Sequence, residues 1–147
     1  MFGVGIVSAE IIDKTGILPS TERAMQEAVA ELSKQMKPTF LLVDGRDHFW
    51  FDIPHASIIR GDESELCISA ASVVAKVTRD RLMIEASSKY SSFNFAQHKG
   101  YGTEEHFALI KKNGTCAIHR RTFLKKRFND ATASKSTTSL LSQTKAS

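Results

Sequence analysis

The sequence predicts an α/β fold, in which strands of a sheet alternate with helices along the chain. Short apolar segments, each too short for a helix, occur at residues 2–8, 39–43 and 56–59, and we interpret them as strands. Between and after them lie longer segments whose apolar residues repeat at helical spacing. Alternation of this kind is typical of a layered α/β domain.

Three helices are predicted from capping residues and apolar spacing. Ser20 or Thr21 can cap the first, which should end before Pro38. The second covers residues 64–88, a segment without Gly or Pro that is rich in small residues, and we expect it to pack closely against the sheet. Thr103 can cap the third, which should extend through Lys112.

Length and composition predict one folded domain over residues 1–128. The chain has 147 residues, of which 41% are hydrophobic, enough to bury a core. Residues 129–147 are rich in Ser, Thr and Lys, and we predict a disordered tail there.

Several protein classes do not fit the sequence. No apolar run approaches the roughly 18 residues of a membrane span, and no signal peptide is evident, so we expect a cytoplasmic protein without a membrane partner. Cys67 and Cys116 should be reduced thiols, and neither belongs to a C-x-x-C pair. The five histidines are scattered, without a pair at the usual metal-binding spacing.

Positive charge is concentrated near the end of the predicted domain. The formal net charge is +4, and residues 117–128 (AIHRRTFLKKRF) contain five basic residues and no acidic one. A solvated basic surface and a phosphate-binding surface are both compatible with this segment, which we call the basic segment.

Asp44 and Asp62 are the candidate catalytic carboxylates. Each follows a predicted strand and adjoins a glycine, and functional groups of α/β sheets cluster beyond the carboxyl ends of strands. Turn formation is the alternative for each, because Asp beside Gly is common in turns. Carboxylates suit Mg²⁺ or Mn²⁺, but a two-metal site needs more than two of them. Asp80 does not complete the set, since an ion pair with Lys76 is the simpler interpretation.

Seven distinctive motifs follow one another along the chain. They are VGIVSAEIID (4–13), ERAMQEAVAEL (22–32), LLVDG (41–45), IIRGD (58–62), ISAASVVAKVTRDRLM (68–83), HKGYGT (98–103) and IHRRTF (118–123). As an ordered set they resemble bacterial ribonuclease HII. The resemblance implies a ribonuclease H-like fold and an endoribonuclease that uses Mn²⁺ or Mg²⁺ to cleave RNA in RNA–DNA hybrids and ribonucleotides embedded in duplex DNA.

The resemblance also implies roles for individual residues. Asp44 and Asp62 would be catalytic and bind the metal ions, and Tyr101 would stack near the sugar at the DNA–RNA junction and help to sense the 2′-hydroxyl. Local packing is the alternative role for Tyr101. The candidates for phosphate contacts, or for bracing the site, are Lys76, Lys99, Arg120 and Arg121.

One family motif is absent from this sequence. The D-E-x-G-R-G type motif, which supplies the other two acidic residues of the family, occurs nowhere in the 147 residues. We therefore expect an incomplete ribonuclease H-like fold without its first strands, with Met1 internal to a longer reading frame, and a chain that is inactive by itself. The alternatives are a non-catalytic nucleic-acid-binding module and a non-functional fragment; we expect a monomer.

Overall fold

The structure, a computed structural model, describes residues 1–46 and 48–129. Helices predominate, and one pair of strands lies near the middle of the chain. The elements are α1 (Ala9–Thr15), α2 (Ile17–Ser33), β1 (Leu41–Asp44), β2 (His55–Ile58), α3 (Gly61–Ser64), α4 (Leu66–Lys89), a 3-10 turn (Ser91–Phe93), α5 (Phe95–His98), α6 (Glu104–Asn113) and a helix over residues 121–129, α7.

The two strands pair in parallel, with Leu41 opposite His55 and Asp44 opposite Ile58. The amide of Gly45 donates to the carbonyl of Ile58 (2.9 Å), which extends the pairing one residue past the end of β1. A mixed α/β architecture is thus confirmed, and so are two of the three predicted strands. Their shared carboxyl edge is where both candidate aspartates were expected.

The predicted strand at residues 2–8 is wrong. This segment pairs with no strand in the described part of the chain; it lies along α2. A Cβ on Gly5 would come within 1.8 Å of the carbonyl oxygen of Ala24, so glycine is what permits this close approach. The segment ends at Ser8, whose hydroxyl accepts the amide of Ile11 and caps α1, a helix that the apolar spacing did not predict.

The predicted helices exist, with shifted boundaries. Helix α2 begins at Ile17, because Gly16 at φ +89° separates it from α1, and α6 begins as predicted after Thr103. Helix α4 is long as expected, but Ile68 is its one buried residue, and the small side chains at 70–72 and 75 are exposed. Close packing of that face on the sheet is therefore not observed.

Two apolar clusters form the core. One lies beneath the strands, and the other joins the 3-10 turn, α5, α6 and α7. The first contains Val43, Phe49 and Phe51 with Met25, Val29 and Leu41 around them; the second contains Phe93, Phe95, Ile110 and Leu124.

Among the described residues no helix combines the length and apolar character needed to cross a membrane. Both cysteines are free thiols. Residue 129, the first of the predicted disordered tail, belongs to α7. The other residues of that predicted tail lie outside the described residues.

Candidate active site

Asp44 is the last residue of β1, and its carboxylate is held at the strand end. Its Oδ1 accepts a hydrogen bond from the amide of Gly61 (2.9 Å), which links β1 to the start of α3. The side chain is otherwise exposed. The backbone of the next loop therefore fixes one carboxylate oxygen.

Gly61 keeps this junction free of steric crowding. It is buried, and a Cβ there would lie 2.6 Å from Cδ1 of Ile68 and 3.5 Å from Oδ1 of Asp44. Arg60, just before it, has a left-handed backbone (φ 56°), which turns the chain sharply from β2 into α3. The glycine allows that loop to approach Asp44.

Asp62 follows Gly61 directly and lies in the first turn of α3, exposed to solvent. Since the amide of its neighbour Gly61 is bonded to Asp44, the backbone at the start of α3 lies next to the end of β1. The guanidinium of Arg60 pairs with Glu63 at 2.5 Å. Asp44 and Asp62 are both exposed to solvent.

Asp44 and Asp62 have the right chemical groups to bind a hard divalent cation, but two carboxylates are too few for a complete site. Carboxylate oxygens are the ligands that Mg²⁺ and Mn²⁺ prefer. Within the described ranges, however, no group of three or more His, Cys, Asp or Glu side chains is arranged to hold a metal ion. Asp44 and Asp62 therefore do not make a complete donor set by themselves, and their role as metal ligands stays a prediction.

Tyr101 lies in a separate cluster, beside the middle of α4. Its ring is half exposed, and the guanidinium of Arg79 stacks on it at 4.4 Å from the ring centroid. Lys76 is on the same helix and bonds to Asp80 at 2.9 Å, as predicted. That hydrogen bond, and the charge of Asp80, raise the pKa of Lys76 and keep it cationic. Two cations thus lie close to the tyrosine.

Two of the other predicted phosphate contacts, Lys99 and Arg120, are less accessible than the sequence suggested. The ammonium group of Lys99 donates to the carbonyl of Ala96, and the guanidinium of Arg120 packs over the ring of Phe123, 4.9 Å from its centroid. Arg121 is exposed at the first turn of α7. Of the predicted set, Lys76 and Arg121 are the most exposed.

Asp13 was not predicted to have a role, and the structure gives it one. Its carboxylate accepts the amides of Arg121 (2.7 Å) and Thr122 (3.2 Å) and the hydroxyl of Thr122 (2.5 Å). These bonds, that of the Thr122 hydroxyl first, lower the pKa of Asp13. A residue of α1 thereby caps α7 and fixes the basic segment.

Three of the scattered histidines converge behind Tyr101. His98, His106 and His119 are all buried; the first two rings stack with centroids 4.2 Å apart, and Nε2 of His106 lies 3.0 Å from Nε2 of His119. Sequence spacing could not show this, because His98 lies in α5, His106 in α6 and His119 in the turn before α7. The only signal was that His98 and His119 belong to the motifs HKGYGT and IHRRTF.

Cys116 and His119 are close enough to suggest a nucleophilic pair, with Sγ and Nδ1 3.1 Å apart. Their ionisation opposes that role. Burial raises the pKa of the Cys116 thiol, while burial, followed by the charge of His106, lowers the pKa of His119 to about 4. A reactive thiolate needs the reverse shifts, so these groups are structural.

Comparison with known proteins identifies related sequences. A family model described as Ribonuclease HII matches residues 3–131. The chain is similar to proteins named ribonuclease HII from Geobacter metallireducens and Syntrophus aciditrophicus, 46% identical over 121 residues, which is 82% of this chain and 56% of each relative. A relative of the same name from Bacillus cereus strain Q1 is 47% identical over 121 residues, 82% of this chain and 46% of its own length. The chain thus spans about half the length of these curated relatives.

Proposed function

Because the chain belongs to the ribonuclease HII family, we propose that it forms part of an endoribonuclease that hydrolyses RNA in RNA–DNA hybrids and at ribonucleotides embedded in duplex DNA. The hydrogen bond from Gly61 to Asp44 is the main structural support, since it brings the loop that contains Asp62 to the end of β1. In this proposal the strand pair and α4 belong to a ribonuclease H-like fold.

Asp44 and Asp62 are the proposed ligands of Mn²⁺ or Mg²⁺. The bond from Gly61 leaves the second oxygen of Asp44 for a cation and restricts rotation of the carboxylate. A bound divalent ion would stabilise the negative charge that develops on the cleaved phosphodiester. Asp44 and Asp62 would hold that ion at the carboxyl ends of the two strands.

The proposed nucleic-acid contacts lie on α4, the HKGYGT loop and the basic segment. The half-exposed ring of Tyr101 would stack on the sugar or base at the junction, with Arg79 holding its other face. Lys76 and Arg121 offer exposed cations to phosphates, while Lys99 and Arg120 would brace the loop and the helix start. We also propose, from sequence alone, that residues 1–128 act as one domain; a monomeric state and a cytoplasmic location stay predictions.

The 147-residue chain should have little activity by itself. Two carboxylates make an incomplete donor set, and the described residues provide no third ligand near them. The decisive experiment is therefore a chimera, in which the matched 121 residues of this chain replace the corresponding segment of the Geobacter metallireducens relative. With Mn²⁺, the chimera should cleave a duplex that contains one ribonucleotide.

Two matched variants of the chimera test the assigned carboxylates. Asp44→Asn should lower the cleavage rate by about a hundredfold or more, since even residues that only support metal ligands cost 10- to 100-fold. Asp52→Asn, an equal change at an exposed loop residue, should leave the rate unchanged. A chimera that folds but does not cleave, or that cleaves equally well with Asn at 44, would refute the assignment.

A non-catalytic nucleic-acid-binding role is the second candidate. The exposed cations of the basic segment favour it, and they do not depend on a metal. Binding of the isolated chain to duplex should then weaken steeply with salt and ignore Mn²⁺. A requirement of binding for Mn²⁺ would exclude this role.

A further inference from the structure

The buried histidines behind Tyr101 form a hydrogen-bond chain whose direction can be derived from its backbone partners. The amide of Cys116 donates to Nδ1 of His119 (2.9 Å), so this nitrogen has no proton. A neutral ring then has its proton on Nε2, which lies 3.0 Å from Nε2 of His106. His119 therefore donates to His106.

The chain continues to the backbone of Tyr101. Since Nε2 of His106 accepts a hydrogen bond, the neutral ring has its proton on Nδ1, which lies 2.9 Å from the carbonyl oxygen of Tyr101. The hydrogen bonds thus run in one direction, from Cys116 through His119 and His106 to Tyr101. We call His119 and His106 the histidine relay.

The relay works only while both rings are neutral. A second proton on His106 would point at the N–H of His119, and a second proton on His119 would point at the amide of Cys116. Burial lowers the pKa of His106, and it lowers that of His119 to about 4. The titratable groups in contact with the relay are His98 and Cys116, and the aromatic neighbours are Phe93, Phe95 and Phe107.

His98 fixes the same loop from its other side. Its Nδ1 accepts the amide of Gly100 (3.1 Å), and its Nε2 donates to the carbonyl of Phe93 (2.6 Å). Its backbone carbonyl accepts the amide of Tyr101 (2.8 Å). The carbonyl of Tyr101 also accepts the amide of Thr103 (2.8 Å). The backbone of Tyr101 is therefore bonded once at its N–H and twice at its C=O, while its ring remains half exposed.

We propose that His106 and His119 are positioning residues for Tyr101: the relay holds the tyrosine backbone so that its ring is presented to the ribonucleotide. The identity of the substrate in this inference rests on the proposed function, whereas the hydrogen-bond geometry does not. The relay also connects Tyr101 to the basic segment, because Arg120 follows His119 in the chain. One buried feature would thus set the relative placement of the two nucleic-acid contacts.

The geometry is tested by the carbonyl signal of Tyr101 in the full 147-residue chain. Labelling with 13C-carbonyl tyrosine and 15N glycine selects one peptide bond by NMR, since Tyr101–Gly102 is the one Tyr–Gly pair in the sequence. His106→Leu should shift this signal, because one of the two donors to the carbonyl is lost and only the amide of Thr103 remains. His106→Asn should restore it, since the Asn amide can reach the place of Nδ1. His48→Asn, at an exposed position, is the control and should not move it.

A second measurement reports on the relay without any substitution. In the wild-type chain, 15N signals of the imidazoles should show His106 protonated at Nδ1 and His119 at Nε2. His119 should be neutral at pH 5.5, well above its pKa of about 4, and the pKa of His106 should lie below the ordinary histidine value because the ring is buried. Titration of either ring near the ordinary histidine value, or the opposite tautomer of His106, would overturn the proposal even if the variants fail to fold.

The functional arm compares two duplexes of equal sequence, one with a single ribonucleotide and one entirely of DNA. The ratio of the two affinities should fall about two- to tenfold in His106→Leu, the range for one lost hydrogen bond, and recover in His106→Asn. An unchanged ratio in a folded His106→Leu chain would overturn the positioning role. If the wild type shows no preference, the proposed function of Tyr101 fails, and the NMR signals still decide the relay.

Discussion

Phe95 should be the most costly side chain to truncate in the second core cluster. It is 1% exposed, and its ring contacts Phe93 and all three buried histidines. Replacing a fully buried Phe with Ala costs about 3–5 kcal/mol through lost burial and the cavity left behind. We therefore expect Phe95→Ala to lower the free energy of unfolding by about 4 kcal/mol, a large part of the 5–15 kcal/mol typical of a domain.

Urea denaturation monitored by circular dichroism measures this loss. With a denaturant slope of about 2 kcal/mol/M, the midpoint should fall by about 2 M. Phe40→Ala is the matched control, because Phe40 is 55% exposed, and it should change stability by less than about 0.5 kcal/mol. If Phe95→Ala is too unstable to purify, Phe95→Leu should give a smaller loss. Equal midpoints for the Phe95 and Phe40 variants would refute the assigned core.

Three further substitutions test individual contacts. Gly100→Ala should destabilise the chain by about 1–2 kcal/mol in thermal denaturation, because Gly100 has φ +76° and a Cβ would lie 3.0 Å from Met83; no loss would contradict this. Thr103→Ala should cost about 1 kcal/mol, because its hydroxyl accepts an amide of α6; Thr21→Ala is the control. Asp13→Asn should remove a pH dependence of the free energy of unfolding. Because folding lowers the pKa of Asp13 from its ordinary value of 3.8, its stabilisation is present above pH 3.8 and is lost as the pH falls through the lowered pKa. The free energies of unfolding of wild type and variant should therefore converge in acid.

The strand ends and the capped helix were predictable because local chemistry determines them. Each short apolar run with a following glycine became a strand, and Thr103 capped α6 as its position suggested. The same reasoning predicts both aspartates at one edge, and for the carboxylate of Asp62 this stays a prediction. What the sequence did not reveal was the hydrogen bond from Gly61 to Asp44, since that depends on the loop geometry after β2.

The failed predictions involve tertiary contacts that have no local signature. Residues 2–8 have strand-like composition, but Gly3 and Gly5 let them lie against α2, which no alternation pattern reveals. Asp13 caps a helix 108 residues away in the chain. The histidines converge only because the turn after α4 and the turn before α7 bring three elements together. Such contacts become visible only in the three-dimensional structure.

The basic segment shows why a charge count could not choose between a solvated surface and a binding surface. In α7 the apolar Leu124 is buried in the core, and Phe128 packs near Phe107, while Lys125 and Lys126 are exposed. The helix is therefore anchored by one face and capped by Asp13, and its cations project from a fixed backbone. A fixed set of cations loses less conformational entropy on binding than a flexible tail does, which favours the phosphate-binding interpretation.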